Sequence, residues 1–247
     1  MKHLYYLYHV PKTGGQTIRD HLDANLVRGR DFLHLGRWDQ GRELTFDDVE
    51  ALTAEQRGAL RSIGGHPLTR PYKELFPDRV VREVVFVREP ASRIVSHYNF
   101  NATMTARRGN PVPSFDEFRA GQPPNPMTKF LKKTFEIPSG PSVLSEVLAV
   151  LADLWMVGTT ESLDLLAPTL FERLGIGSSV PSRSNVSGGM IDRHLALTPD
   201  LADELRDEAA LDLMLYEACR RFERSTMERL SIVAERGPRR PIGFAPT

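Results

Sequence analysis

Glu83–Val87 reads EVVFV and runs straight into Arg88-Glu89-Pro90-Ala91-Ser92-Arg93. A continuous apolar run of β-branched and aromatic residues, with no polar alternation, suits a strand buried on both faces, as strands of parallel sheets are. The residues that follow, Ala91–Phe100, read as helix. Toward the N-terminus the same grammar recurs. His3–Val10 is a short apolar strand stopped by Pro11 and the Gly14-Gly15 pair, and Gln16–Val27 then places Ile18, Leu22 and Leu26 on one helical face. Arg61–Gly65 reads as a short strand broken by glycine, and Trp155–Gly158 as another, set between helical patterns over Ser142–Leu154 and Ser162–Leu174. Asp47–Leu60 reads as one helix, with Thr45 and Asp48 spaced as a capping box. Thr198 caps a long C-terminal helix with Pro199 at its first position, where the missing N–H costs nothing. Its core face carries Leu201, Leu205, Ala209, Leu213, Tyr216 and Phe222. Strands alternating with helices predict an α/β fold: one domain over 1–236, with a central parallel sheet flanked by helices on both faces. An irregular, proline-rich insertion is expected at about 101–126, and a flexible Pro/Gly/Arg-rich tail over 237–247.

Composition narrows the class. The 247 residues carry 32 Lys+Arg against 32 Asp+Glu, with 40% hydrophobic and 26% charged residues, an ordinary globular balance. At ~150 residues per domain the length allows one large α/β domain. No apolar run approaches the ~20 residues of a membrane helix, and the N-terminus has no secretory h-region and cleavage site. A single cysteine, Cys219, excludes a disulfide framework and a cysteine-based zinc cluster; it falls in an apolar stripe and reads as packing. A pI near 7.1 gives no general electrostatic case for nucleic acid or an anionic membrane. No His/Asp/Glu cluster has metal-ligand spacing.

Ligands of open parallel sheets bind where strand ends feed helix N-termini, and two such junctions carry unusual side chains. In Val10-Pro11-Lys12-Thr13-Gly14-Gly15-Gln16-Thr17 the glycine turn lets successive N–H groups face an anion, with hydroxyls from Thr13 and Thr17 and a mobile charge from Lys12. The lysine precedes the glycines, so this is not a Walker A motif. In the second junction Arg88 ends the buried strand and Ser96 lies two helical turns on, a guanidinium fork and a hydroxyl suited to a terminal phosphate. Read singly, the first is equally a glycine turn beside a surface lysine. The second alone is better read as Arg88 paired with Glu89 or a neighbouring carboxylate, and Ser96 as an ordinary helix residue.

Together the two junctions resemble the sulfotransferases that use 3′-phosphoadenosine 5′-phosphosulfate, most closely the carbohydrate branch that includes the heparan sulfate 2-O-sulfotransferases. The likeness runs from Val10 to about Phe222. It is extended by Gly65-His66-Pro67, Asn125–Leu131 (NPMTKFL), Val157–Glu161 (VGTTE), Asn185-Val186-Ser187 and Asp212–Tyr216 (DLMLY). The resemblance implies a P-loop-like domain in which Lys12, Thr13, Gly14, Gly15, Gln16 and Thr17 hold the 5′-phosphosulfate. Arg88 and Ser96 would hold the 3′-phosphate, with Asn185 and Ser187 as further donor contacts. No acceptor-side segment is recognisable between Asn101 and Pro124.

The implied reaction is in-line transfer of a sulfo group to an acceptor hydroxyl of a carbohydrate or glycosylated metabolite, with no metal required. Lys12 would stabilise the leaving oxygen, and His66, matching the family's catalytic histidine segment, would be the general base. Among the other six histidines, His9 reads as packing and His97 as pointing elsewhere on its helix; Glu89 is the back-up base. Arg107, Arg108, Lys129, Lys132 and Lys133 could meet an anionic acceptor, though the balanced net charge argues against a highly sulfated polymer. The competing readings are a nucleotide phosphotransferase, which would need Mg²⁺ and a Walker-type Lys-Ser/Thr pair, and a catalytically silent nucleotide-binding module. Eukaryotic carbohydrate relatives carry an N-terminal Golgi anchor, whereas this chain opens almost on its first strand, so a bacterial cytoplasmic enzyme, or an excised domain, is expected.

Overall fold

The side chains of β1 (His3–Tyr8) alternate between two cores: Leu4, Tyr6 and Tyr8 enter one, Tyr5 and Leu7 the other. A strand buried on both sides must lie inside a sheet that is covered on both faces. The described residues, 2–37, 43–177 and 194–232 of a computed structural model, have that architecture. After β1 come α1 (Gly15–Asn25), β2 (Phe32–Arg37), the two-residue β3 (Glu43–Leu44), α2 (Phe46–Glu50), α3 (Ala54–Ala59), β4 (Ser62–Gly65) and β5 (Val80–Val87). They are followed by α4 (Pro90–Arg107), α5 (Phe115–Ala120), α6 (Pro126–Thr134), α7 (Val143–Ala152), β6 (Met156–Thr159), α8 (Leu163–Arg173), α9 (Pro199–Glu208) and α10 (Ala210–Arg229).

The sheet order is β3-β2-β4-β1-β5-β6. Five strands are parallel, with β1 central between β4 and β5, and β3 adds an antiparallel edge to β2. One face is covered by α6, α7 and α10 through Met127, Leu131, Val147, Leu151, Leu215 and Cys219. The other is covered by α1 and α8 through Ile18, Leu22, Leu166 and Leu170. Helices α4 and α9 pack on each other through Ala91, Val95, Ala202 and Leu205. No helix among the described residues is long and apolar enough to cross a membrane.

Several elements depart from the sequence reading for identifiable reasons. Strand β2 (FLHLGR) lacks a continuous apolar run, and its pairing with β4 makes it a strand. The single helix expected over Asp47–Leu60 is two. Thr45 and Asp48 form the expected capping box, but Thr53 and Gln56 form a second one that starts a new helix. Within 101–126, α4 continues to Arg107 and a Ser114–Glu117 capping box opens α5, so the irregular backbone is confined to 108–114 and 121–125. The long C-terminal helix breaks at Ala209, and beyond the break Leu215, Tyr216 and Cys219 face the core while Leu213 is only half-buried. Residues 237–247 lie outside the described residues.

The break at Ala209 is stabilised from a distance. The side-chain oxygen of Asn125 accepts from the N–H groups of Leu211 (3.0 Å) and Asp212 (3.2 Å), capping α10. Asp212 returns the cap to α6: its buried carboxylate accepts from the N–H groups of Met127 (2.9 Å) and Thr128 (2.7 Å) and from the Thr128 hydroxyl (2.8 Å). Removing the carboxylate strands three buried donors. Asp212→Ala is therefore expected to destabilise by about 3 kcal/mol, read as a lower urea midpoint at unchanged m-value.

Candidate functional site

The chain order in the sheet reverses at β1. β1 leads into α1 on one face, whereas its neighbour β5 leads into α4, which packs against α9 and α10. The carboxyl ends of two such strands enclose a crevice where an open α/β sheet binds ligands. The loop after β1 crosses it with two left-handed residues, Lys12 (φ 71°) and Gly14 (φ 91°). Gly15 has no room for a side chain, since a Cβ there would lie 2.1 Å from Cδ2 of His9. The buried Thr13 hydroxyl donates to the Val10 carbonyl (2.9 Å), and the Thr17 N–H donates to the Gly14 carbonyl (3.0 Å). The Gln16 side chain bonds to Asp20. Helix α1 has no acidic residue in its first turn and no side-chain cap, so neither offsets the positive end of its dipole.

Two guanidiniums grip successive carbonyls of this loop. Arg93, buried at the start of α4, donates from Nε to Pro11 (3.2 Å), and Arg88 donates from Nη1 to Lys12 (3.4 Å). Lys12 and Arg88, expected to serve one ligand, thus meet. The Lys12 ammonium lies 4.0 Å from the centre of the Phe100 ring. Half-buried Ser96 sits one turn before Phe100 on α4, so both share the face that Lys12 reaches. Burial, then the charges of Arg88 and Arg93, lowers the Lys12 pKa to about 8. His97 is partly buried on the same helix, α4. Its pKa falls to about 4, chiefly through burial and then through Arg93 and Lys12, and its ring meets Phe118 at 5.2 Å.

Glu89 does not pair with Arg88 as the sequence reading had it. Its carboxylate caps α4, accepting from the N–H groups of Ser92 (2.7 Å) and Ala91 (3.3 Å), and accepts from Nε of Arg206 at 3.0 Å. Burial raises its pKa, but these bonds outweigh it and hold the carboxyl below the usual range. Glu89 is thus engaged by a helix cap and by α9.

His66 stands exposed just beyond β4. Its Nδ1 donates to the carbonyl of His9 at 2.6 Å. A carbonyl only accepts, so the proton sits on Nδ1 and Nε2 carries the lone pair. Its ring lies 4.3 Å from that of His9 and meets Phe130 edge-on at 6.3 Å. Desolvation lowers the His66 pKa, partly opposed by the bond to His9. The strand end that presents it needs Gly65, since a Cβ there would lie 2.0 Å from the Leu35 carbonyl oxygen. His9 packs, as its position on the strand implied, and does more: wedged between Gly15 and His66, with His34 at 6.1 Å, it joins the glycine loop to His66.

The remaining motifs brace the crevice. Asn125–Leu131 and Asp212–Tyr216 are the reciprocal caps already described, and Asp212 lends its charge to Arg93. In the Val157–Glu161 stretch, the Thr160 hydroxyl donates to the Val87 carbonyl (3.1 Å), steadying the strand end before Arg88. Thr159 and Ser162 donate to Glu223 of α10 at 2.7 and 2.6 Å. Lys132 bonds to Ser139. Asn185 and Ser187 lie outside the described residues. Among the described residues no group of three His, Cys, Asp or Glu side chains is placed to hold a metal ion. The sequence reading missed Arg93 and Phe100 as members of the site; the i+4 spacing of Ser96 and Phe100 was the available signal.

No protein-family model matches the chain, and no curated protein matches it in sequence. Among solved structures, it is similar to a sulfotransferase from Alicyclobacillus acidocaldarius, with 14% identity and a TM-score of 0.48 over 88% of this chain and 95% of that one.

Proposed function

We propose that this crevice binds 3′-phosphoadenosine 5′-phosphosulfate and passes its sulfo group to an acceptor hydroxyl. The observation that carries this reading is the meeting of Lys12 and Arg88, 76 residues apart, through a hydrogen bond from one to the carbonyl of the other. They close on a crevice whose neighbouring carboxylate, Glu89, is turned to other partners. Such a loop favours a ligand with several negative charges, and the motif resemblance specifies which one. In this reading the N–H groups of Gly14, Gly15 and Gln16, the Thr17 hydroxyl and the Lys12 ammonium hold the 5′-phosphosulfate, with Arg88 and Ser96 on the 3′-phosphate. Asn185 and Ser187 are further donor contacts carried by the resemblance alone, as is the carbohydrate or glycosylated acceptor.

Sulfuryl transfer resembles phosphoryl transfer in depending on alignment and charge stabilisation. The acceptor oxygen forms a bond to sulfur as the bond from sulfur to the bridging oxygen breaks. The departing electron pair stays on that bridging oxygen, which Lys12 stabilises where its charge develops. The acceptor's proton passes to Nε2 of His66, the nitrogen left basic by the bond to His9. No step here requires a metal.

Calorimetric titration tests the donor. The protein is expected to bind adenosine 3′,5′-bisphosphate at least tenfold more tightly than adenosine 5′-phosphate, without added Mg²⁺. Arg88→Ala should lose about 10- to 100-fold in affinity for the bisphosphate, the worth of a charge-assisted contact, with little change for the monophosphate. Equal affinity of the unmutated protein for the two nucleotides would remove the 3′-phosphate site and the reading with it.

A further inference from the structure

Phe100 is among the few large apolar side chains that the described chain leaves in water, at 44% exposure. It is not an isolated surface residue, because the Lys12 ammonium rests over its ring. The backbone beneath that lysine is fixed, with the carbonyls of Pro11 and Lys12 held by Arg93 and Arg88 and Lys12 itself in the left-handed region. What stays adjustable is the flexible stem of the lysine side chain. An ammonium is attracted to the negative face of an aromatic ring, whereas an oxyanion is repelled by it. Ring face and oxyanion therefore compete for one charge.

We propose that Phe100 is a positioning residue for Lys12: its ring holds the ammonium extended along α4 at the mouth of the crevice and releases it when an oxyanion arrives. The identity of the anion rests on the nucleotide reading above; the contact and its exchange do not. Binding must break an intramolecular contact, so Phe100→Leu is expected to bind adenosine 3′,5′-bisphosphate about two- to fivefold more tightly, the equivalent of one exposed cation–π contact. Because the ring is exposed, its loss opens no buried cavity, and an effect of this kind would not come from misfolding.

Proton–carbon NMR reads the contact directly, with the Lys12 signal identified by its loss in Lys12→Arg. The ε-CH₂ protons of Lys12 are expected upfield of other lysines through the ring current of Phe100. They should stay there in Phe100→Tyr and move to the ordinary position in Phe100→Leu. Titration with inorganic sulfate, and separately with adenosine 3′,5′-bisphosphate, should move the wild-type signal to the ordinary position. An ordinary position in the anion-free protein, a shift that survives saturating sulfate, or weaker nucleotide binding by Phe100→Leu would overturn the proposal. If sulfate releases the signal but no nucleotide binds, the post stands and the nucleotide reading fails.

Discussion

Lys12→Ala is expected to lower turnover by about 10³-fold while changing the affinity for the unreacted donor, 3′-phosphoadenosine 5′-phosphosulfate, by no more than a few-fold. The reason is where the charge acts. The loop N–H groups and the Arg88 guanidinium meet phosphates that are charged before and after transfer, so they contribute to binding throughout. The Lys12 ammonium meets an oxygen whose charge grows only as its bond to sulfur breaks and is complete in the bisphosphate product, and interactions stronger in the transition state than in the bound donor appear in kcat. Loss of a single preorganised donor to a developing oxyanion costs about 10²–10³ in rate, and a full charge belongs at the upper end. The lysine also predicts a pH limb. Burial and the neighbouring Arg88 and Arg93 lower its pKa to about 8, so the ammonium is intact below that pH and is lost as the pH rises through it. In kcat/KM, which reports the free enzyme, activity should decline above about pH 8. Lys12→Arg should abolish that limb, because a guanidinium does not titrate there. A fully active Lys12→Ala protein would end the assignment of Lys12 to the leaving group.

The second large effect concerns His66. His66→Ala should reduce turnover by about 10²–10⁴-fold, the range of a positioned general base, with donor affinity unchanged. Its exposed position at the mouth makes chemical rescue feasible, so added imidazole should restore part of the rate. The sign of its pH dependence follows from its role. The base must be neutral, and desolvation holds the His66 pKa below the usual imidazole value, so activity holds through neutrality and falls only as the pH drops through that lowered pKa. The nearest imidazole, His9, is held well below 6.5 as well, by burial and then by His66 and His34. The acid limb should vanish in His66→Ala, and its persistence would assign the proton transfer to another group.

Much of this protein can be read locally. The apolar runs of β1 and β5 announce strands buried on both faces, Pro11 with Gly14-Gly15 marks the turn between strand and helix, and Thr45 with Asp48 and Thr198 with Pro199 mark helix starts. Each of these signals spans a few residues, because steric preference, capping and amphipathic periodicity act over one turn of chain. They are enough for the α/β class and for nominating Lys12, Arg88 and His66.

Other features came only from packing. The strand character of β2 depends on its ladder with β4. The halt at Ala209 depends on Asn125, some 85 residues away in the chain. The carboxylate of Glu89 turned to Arg206 rather than to its sequence neighbour, and His9, Arg93 and Phe100 joined the site only once α4 lay against the glycine loop. Residue type and spacing decide what a side chain is able to do and the local turn it occupies. Which partner it meets is decided by how helices and sheet close on each other, since the charge or hydrogen bond that counts there joins positions the chain order keeps apart.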